Sequence, residues 1–332
     1  MITALVTGAD GFIGSHLVEL LLSKNFNVRA FCLYNSLGTK GWLDTLPKEK
    51  LDNIEIIFGD IRDPDSVYEA VKGVNIIFHL ASLISIPYSY KVPSSYIDTN
   101  VKGTLNVLNA TKNLEIDHLV HTSTSETYGS AQYVPIKESH PLVGQSPYAA
   151  SKIAADQLAL SFWRSFSTPV SILRPFNTYG PRQSTRAVIP TIISQISNGN
   201  KYLKLGNLDP TRDFNFIQDT CDAFLAIGSS ENTFGKVINS ASNFEISIGD
   251  TALLIAELMN SEIHILNEQQ RMRPINSEVE RLYGDNSLLK RLTNWQPKFT
   301  NLEGFKRGLK ITIDWFQKEE NLKFYNPENF GI

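Results

Sequence analysis

Five residues of this sequence combine types and spacing suited to chemistry: Thr124, Ser125 and Glu126, and then Tyr148 and Lys152. Leu119 and Val120 lead as an apolar run into His121-Thr122-Ser123-Thr124-Ser125-Glu126-Thr127-Tyr128-Gly129, a cluster of hydroxyls holding one carboxylate. Tyr148 and Lys152 lie four apart in a segment that reads as helix, so they share a face about one turn apart. An ammonium beside a phenol stabilises phenolate and draws the tyrosine pKa down from about 10. The set therefore holds a proton shuttle, hydroxyl donors and a carboxylate base. Each residue also has a plainer role open to it. Thr124 and Ser125 suit turn-capping hydroxyls, Glu126 a solvated loop acid, and Tyr148 with Lys152 an amphipathic helix face.

The elements that must position these groups are legible around them. Ile2 to Val6 is a short apolar strand. It runs into Thr7-Gly8-Ala9-Asp10-Gly11-Phe12-Ile13-Gly14, and Ser15 to Leu22 has helical composition. Strand, glycine-rich turn and helix form the context of a dinucleotide fingerprint, here spaced GxxGxxG. Gly8 would permit the tight turn, Gly11 close approach to a pyrophosphate and Gly14 close helix–strand packing. The helix N-terminus would offer free N–H groups to the phosphates.

Asn27 to Leu33 reads as the second strand. Where an acid would hold the adenosine ribose of NAD, the sequence has Cys32, Leu33, Tyr34 and Asn35. No arginine pair replaces it for a 2′-phosphate, although Lys40 would reach that point on a loop. Ile54 to Phe58 is a third strand ending in Gly59-Asp60-Ile61. Two readings of Asp60 stand: acceptor for the adenine amino group, or N-cap of the helix that Pro64 starts. Val74 to Leu80 is an apolar strand for the middle of a sheet, followed by the small residues Ala81 and Ser82. Leu83 to Tyr96, which contains Ser85, reads as a loop beside a sugar or at the surface. Asp98 to Lys112 has helical periodicity. Asn100 near its start is either a polar helix-end residue or a cofactor contact. Leu119 to Ser123 and Val170 to Leu173 complete the strands, the last leading through Arg174 and Pro175.

Alternating strands and helices predict an α/β fold, a doubly wound parallel sheet of Rossmann type over residues 1–175. Residues 176–332 are expected to form mostly a smaller C-terminal substrate-binding lobe, with some segments crossing back. That part carries Asn177, Arg182, Arg212 and Arg273, the amide and guanidinium donors a diphosphate requires. Selection of the base is expected from the chain near Val188 to Pro190 and Lys204 to Arg212.

The bulk properties exclude several classes. The 332 residues are 42% hydrophobic and 20% charged, with a formal net charge of −3. This is no nucleic-acid-binding composition and no polybasic membrane patch. Two distant cysteines, Cys32 and Cys221, suit a reducing compartment. The six histidines lack metal-ligand spacing, so no metal is expected. The N-terminus reads as a strand and not a signal peptide, and no apolar run approaches the ~18 residues of a membrane span. The expectation is a cytoplasmic protein.

GxxGxxG at Gly8–Gly14, Asp60-Ile61, the Ser/Thr cluster and Tyr148-xxx-Lys152 together resemble the extended short-chain dehydrogenase/reductases over about residues 1–300. Thr124-Ser125-Glu126 matches the Thr-Ser-Glu form of the nucleotide-sugar 4,6-dehydratases, a form UDP-glucuronate decarboxylases share; 4-epimerases lack the carboxylate. The stretches YNSLGTKGWLDTLP, IPYSY and TSTSETYGSAQYVPI look most like the legionaminic-acid-type dehydratases, which act on nucleotide-activated N-acetylglucosamine. The resemblance implies NAD(P), with NAD favoured, at Gly8, Gly11, Phe12, Ile13, Gly14, Asp60, Ile61, Leu80, Ala81, Ser82, Asn100, Tyr148, Lys152 and Pro175. It implies a nucleotide-sugar substrate at Ser85, Thr124, Asn177, Arg182, Val188, Arg212, Arg273 and Glu278, and a homodimer through the helices of Tyr148 and Asn100. Catalysis is implied at Thr124, Ser125, Glu126, Tyr148 and Lys152. Ser125 stands where many relatives have Asp, which leaves the acid for the departing hydroxyl open between Ser125 and Glu126. The competing expectations are a decarboxylase or 4-epimerase, and a catalytically silent NAD(P)-binding regulator.

Overall fold

The computed structural model describes residues 2–325. Seven strands form a parallel sheet in the order β10-β6-β5-β4-β1-β2-β3: β1 (Thr3–Thr7), β2 (Asn27–Leu33), β3 (Ile54–Gly59), β4 (Ile76–His79), β5 (His118–Thr122), β6 (Val170–Pro175) and β10 (Val237–Ser240). All of its pairings are parallel. A sheet covered on both faces requires apolar side chains at successive positions, and β4 (Ile-Ile-Phe-His) is buried throughout. Alternate residues serve opposite faces: Ala4 and Val6 join one core with Leu17 and Phe78, and Leu5 joins the other with Ile77 and Leu119. The first core continues without a break into Phe216, Phe224 and Phe305 of the C-terminal part.

Strand order reverses between β1 and β4. The chain first runs outward through β2 and β3, then returns to build β4, β5 and β6 on the other side. The two loops leaving β1 and β4 therefore diverge and open a crevice at the strands' carboxyl ends. Thr7 pins that point. Its Oγ1 accepts from the N–H of Leu80 and of Ala81, both at 3.1 Å, so its own proton goes to His79 Nδ1 at 2.8 Å. His79 Nε2 then donates to Thr104 Oγ1 (3.1 Å), and Thr104 donates to the Asn100 carbonyl (2.6 Å). Burial holds the His79 pKa well below its ordinary value, as this neutral tautomer requires.

Beyond β6 the chain builds β7 (Asn177–Tyr179), β8 (Tyr202–Leu205), β9 (Thr211–Phe216), β11 (Glu245–Ser247) and β12 (His264–Asn267). These form a three-stranded sheet, β11-β9-β7, and a two-stranded one, β12-β8. The chain re-enters the main sheet at β10, so the lobes are interleaved.

Two local readings change. The stretch 83–96, expected as a loop, contains helices Ile86–Lys91 and Pro93–Tyr96. Ser85 caps the first, its Oγ accepting from Tyr88 N (3.3 Å). The helix expected from Asp98 opens with a wider π-turn at Ile97–Lys102, which carries Asn100. Among the described residues no helix is long and apolar enough to cross a membrane.

Candidate active site

The glycine turn after β1 is built to admit a ligand. Gly8 has φ +68°, and a Cβ there would sit 2.9 Å from Ala81 N. A Cβ on Gly14 would overlap the Gly8 carbonyl oxygen. The helix that follows, Phe12–Ser23, has no side-chain cap at Gly11, so its first N–H groups face the crevice free. Residues of this type fit a dinucleotide's pyrophosphate.

The Pro147–Phe166 helix carries Tyr148 and Lys152. Ser146 caps it, accepting from Ala149 N (3.1 Å), and Pro147 stands in its first turn. Tyr148 and Lys152 occupy one face and are 7% and 3% exposed. After β5, a 3-10 turn at Ser125–Tyr128 presents the hydroxyl cluster. Thr124 caps this turn, its Oγ1 accepting from Glu126 N (3.2 Å), and it also hydrogen-bonds the Tyr148 phenol. Capping the turn thus leaves the Thr124 hydroxyl beside the Tyr148 phenol. Ser125 and Glu126 are buried beside it.

The electrostatics differ from the simple pairing of Lys152 with Tyr148. Burial raises the Tyr148 pKa, the Thr124 hydrogen bond lowers it, and the Glu126 charge raises it. Lys152 Nζ donates to the Thr122 carbonyl at 2.6 Å. Burial brings the Lys152 pKa down to about 8, so its charge is readily lost or reinforced near neutrality.

One cavity of about 870 Å³ follows the crevice from the end of β3 to the C-terminal lobe. The expected cofactor residues Gly8, Gly11, Phe12, Ile13, Gly14, Asp60, Ile61, Leu80, Ala81, Ser82 and Pro175 line it. So do Thr124, Ser125, Glu126, Tyr148 and Lys152, and beyond them Ser85, Asn177, Val188, Arg212, Arg273 and Glu278. Arg212 Nη2 lies 3.4 Å from Glu278 Oε1, and Arg273 Nη1 lies 3.7 Å from Glu278 and 3.8 Å from Glu126. Arg273 Nη1 and Asn177 Oδ1 are buried without a hydrogen-bond partner. The segment carrying Arg273 and Glu278 is strapped to the chain beyond the Ser125–Tyr128 turn: Ser277 Oγ donates to Gln145 O (2.6 Å), and Gln145 Nε2 donates to Glu278 O (3.2 Å).

Two expected residues, Arg182 and Asn100, lie outside the cavity lining, and for Asp60 one of its two readings is settled. Arg182 does not line the cavity; it pairs with Glu19 at 2.8 Å and reaches Ser15, because both stand on the Phe12–Ser23 helix facing it. Asn100 is spent on structure: Oδ1 accepts from Leu83 N (2.8 Å), and Nδ2 donates to Leu83 O (3.0 Å) and Ser151 Oγ (2.9 Å). It anchors the loop after β4 to the Tyr148 helix. Asp60 is not the helix cap, since Asp63 takes that place by accepting from Ser66 N (2.8 Å); Asp60 instead pairs with Arg62.

Sequence reasoning missed a buried network behind the site. Asp156 accepts from Ser123 Oγ (2.8 Å) and from Arg174 Nη2 (2.7 Å), and His121 Nε2 lies 3.5 Å away. Burial opposes the Asp156 charge, but the nearby His121 ring and the Arg174 charge outweigh it and hold the pKa below the ordinary range. The signal was present: Asp156 continues the four-residue spacing of Tyr148 and Lys152. Arg186, also missed, lines the cavity.

A profile of the family described as GDP-mannose 4,6 dehydratase matches residues 5–308. A UDP-N-acetyl-alpha-D-glucosaminuronate decarboxylase of Bacillus cytotoxicus is 31% identical, over 96% of this chain and 98% of its own. The solved UDP-N-acetylglucosamine 4-epimerase of Methanobrevibacter ruminantium M1, in complex with UDP-N-acetylmuramic acid, is 30% identical with a TM-score of 0.83, over 95% of this chain and 98% of that one. The dTDP-glucose 4,6-dehydratase of Bacillus anthracis, in complex with NAD, is 29% identical with a TM-score of 0.82, over 97% and 98%. Dehydratase, epimerase and decarboxylase thus share this fold at similar distance.

Proposed function

This chain belongs to the GDP-mannose 4,6-dehydratase family of extended short-chain dehydrogenase/reductases, and from that premise we propose that it is a nucleotide-sugar 4,6-dehydratase. The substrate is UDP- or GDP-N-acetylglucosamine and the cofactor NAD(P), with NAD preferred. The observation that carries this reading is Glu126, a carboxylate 8% exposed, on the turn that also offers Thr124 to Tyr148. A reaction confined to C4 needs no second base there.

A nicotinamide dinucleotide held at the glycine turn supplies the hydride acceptor and later the hydride donor. Tyr148, as phenolate, takes the proton of the sugar 4-hydroxyl, and Thr124 aligns the 4-oxygen by hydrogen bonding. Lys152 holds the nicotinamide ribose and keeps positive charge near the phenolate. The resulting 4-ketone acidifies the C5 proton, which Glu126 removes. Glu126, now a carboxylic acid, returns that proton to the departing 6-hydroxyl, directly or through Ser125, and water leaves. Return of the C4 hydride to C6 together with a proton from solvent to C5 gives the 4-keto-6-deoxy sugar with no net redox, and Tyr148 releases its captured proton to solvent. Arg212 and Arg273 bind the diphosphate and Glu278 the nucleotide ribose. A cytoplasmic homodimer through the Pro147–Phe166 helix and the helical segment that carries Asn100, Ile97–Lys102 continuing into Gly103–Asn113, completes the reading, which light scattering would check.

The protein is incubated with UDP- and GDP-N-acetylglucosamine and with UDP-glucuronate, and the products are weighed by mass spectrometry. Loss of one water supports dehydration. Loss of carbon dioxide identifies a decarboxylase. An unchanged mass with inverted C4 identifies an epimerase, and no product at all leaves a silent dinucleotide-binding protein.

A further inference from the structure

Strand β2 ends in Phe31-Cys32-Leu33, and Tyr34 and Asn35 follow, so no carboxylate stands at the strand end where an adenosine ribose is met in a sheet of this kind. The polar groups around that end are occupied. Asn35 Nδ2 donates to Thr39 O (2.8 Å) and Leu33 O (3.3 Å), while its Oδ1 accepts from Leu37 N, Thr39 N and Thr39 Oγ1. Lys40 pairs with Asp44 at 2.9 Å, and Arg62 with Asp60. Cys32 is fully buried in the core.

Asp10 is the other carboxylate lining this end of the cavity. It comes from the glycine turn, between Ala9 and Gly11. Its main chain is fixed by the 35–46 loop: Trp42 N donates to Asp10 O at 3.0 Å, and Gly41, at φ +55°, packs against Asp10 closely enough that a Cβ would meet Asp10 Cβ at 3.0 Å. Burial raises the pKa of its carboxyl, while the N–H groups of Asp10 itself and of Leu33 lower it, which sets the carboxyl against the end of β2. A carboxylate offers about four acceptor sites, so capacity for a pair of hydroxyls remains on the face that lines the cavity.

We infer that Asp10 accepts the adenosine ribose hydroxyls and excludes a 2′-phosphate, a task moved in this chain from the end of β2 to the glycine turn. The inference rests on the nicotinamide-dinucleotide reading above. The physics is one of charge: a vicinal diol donates two hydrogen bonds to a carboxylate, whereas a 2′-phosphate brings a second anion against it. The nearby cations that would compensate, Lys40 and Arg62, already hold carboxylates.

The test is a competition. Purified protein is equilibrated with equal concentrations of NAD and NADP and desalted, and the retained dinucleotides are released and quantified. Wild type should retain NAD over NADP by about tenfold or more, the scale of a charge-assisted hydrogen bond. Asp10→Asn and Asp10→Ser should bring the ratio toward one, with NADP retention rising as NAD retention falls. A melting curve for each variant verifies the fold. Equal retention by wild type, an excess of NADP, or a ratio unmoved in both variants overturns the inference. A parallel loss of both cofactors in the variants also overturns it, because it would assign Asp10 a purely structural part in the turn. Retention of neither dinucleotide by wild type refutes the cofactor reading itself.

Discussion

Glu126→Gln separates oxidation from elimination. The amide keeps the volume of the carboxylate but cannot take the C5 proton. Loss of a positioned general base lowers that step roughly a hundred- to ten-thousandfold. The fold should tolerate the change. The nearest cation, Arg273 Nη1, is 3.8 Å away and keeps Glu278 at 3.7 Å. An ion pair so long, with a half-buried arginine, contributes about 0–1 kcal/mol, so the melting temperature should barely move. Tyr148, Thr124 and Lys152 are untouched, and C4 oxidation should survive. In a single turnover, reduced nicotinamide should accumulate by absorbance and persist, while mass spectrometry finds no loss of water. In deuterated solvent the recovered sugar should carry no deuterium at C5. Dehydration at the wild-type rate would place the base elsewhere. Loss of the absorbance change together with dehydration would mean that Glu126 acts already at C4.

Burial holds the Lys152 pKa at about 8, below its unfolded value, so the unfolded chain binds the extra proton between the two values and stability rises with pH across that window. In dinucleotide-free protein, Lys152→Met should therefore melt no lower than wild type at neutral pH. Its advantage, up to roughly 3 kcal/mol, should vanish as pH rises toward the ordinary lysine range, while C4 oxidation is lost; scanning calorimetry across pH with a nicotinamide assay checks both. Asp156→Asn leaves the buried Arg174 without its counter-charge, so it should cost about 3–5 kcal/mol by denaturant titration, although Asp156 lies outside the cavity; an unchanged midpoint would show that Arg174 finds another partner. Gly14→Ala sets a methyl against the Gly8 carbonyl and should cost about 1–3 kcal/mol, with the purified protein retaining little dinucleotide.

Much of this protein is written locally. The glycine turn after an apolar strand, the four-residue spacing of Tyr148 and Lys152, and the run Thr124-Ser125-Glu126 each depend on a few adjacent residues, because turns, helix faces and strand ends follow short-range rules. They sufficed to predict a doubly wound sheet and a shared site at its carboxyl edge. What sequence could not decide are choices among partners distant along the chain. Asp60 suits either a helix cap or an adenine acceptor by sequence; Asp63 takes the cap, and Asp60, paired with Arg62, lines the cavity. Arg182 carried the right charge for a diphosphate but is drawn to Glu19. Asn100 was open to a cofactor, but both ends of its amide are consumed by Leu83 and Ser151. Lys152 has the spacing to act on Tyr148, but its ammonium points to the Thr122 carbonyl. The composition specifies which groups are present. Only the packing of strands and helices separated by tens of residues brings a competing donor or acceptor within reach, and a buried polar group takes whichever partner that packing offers.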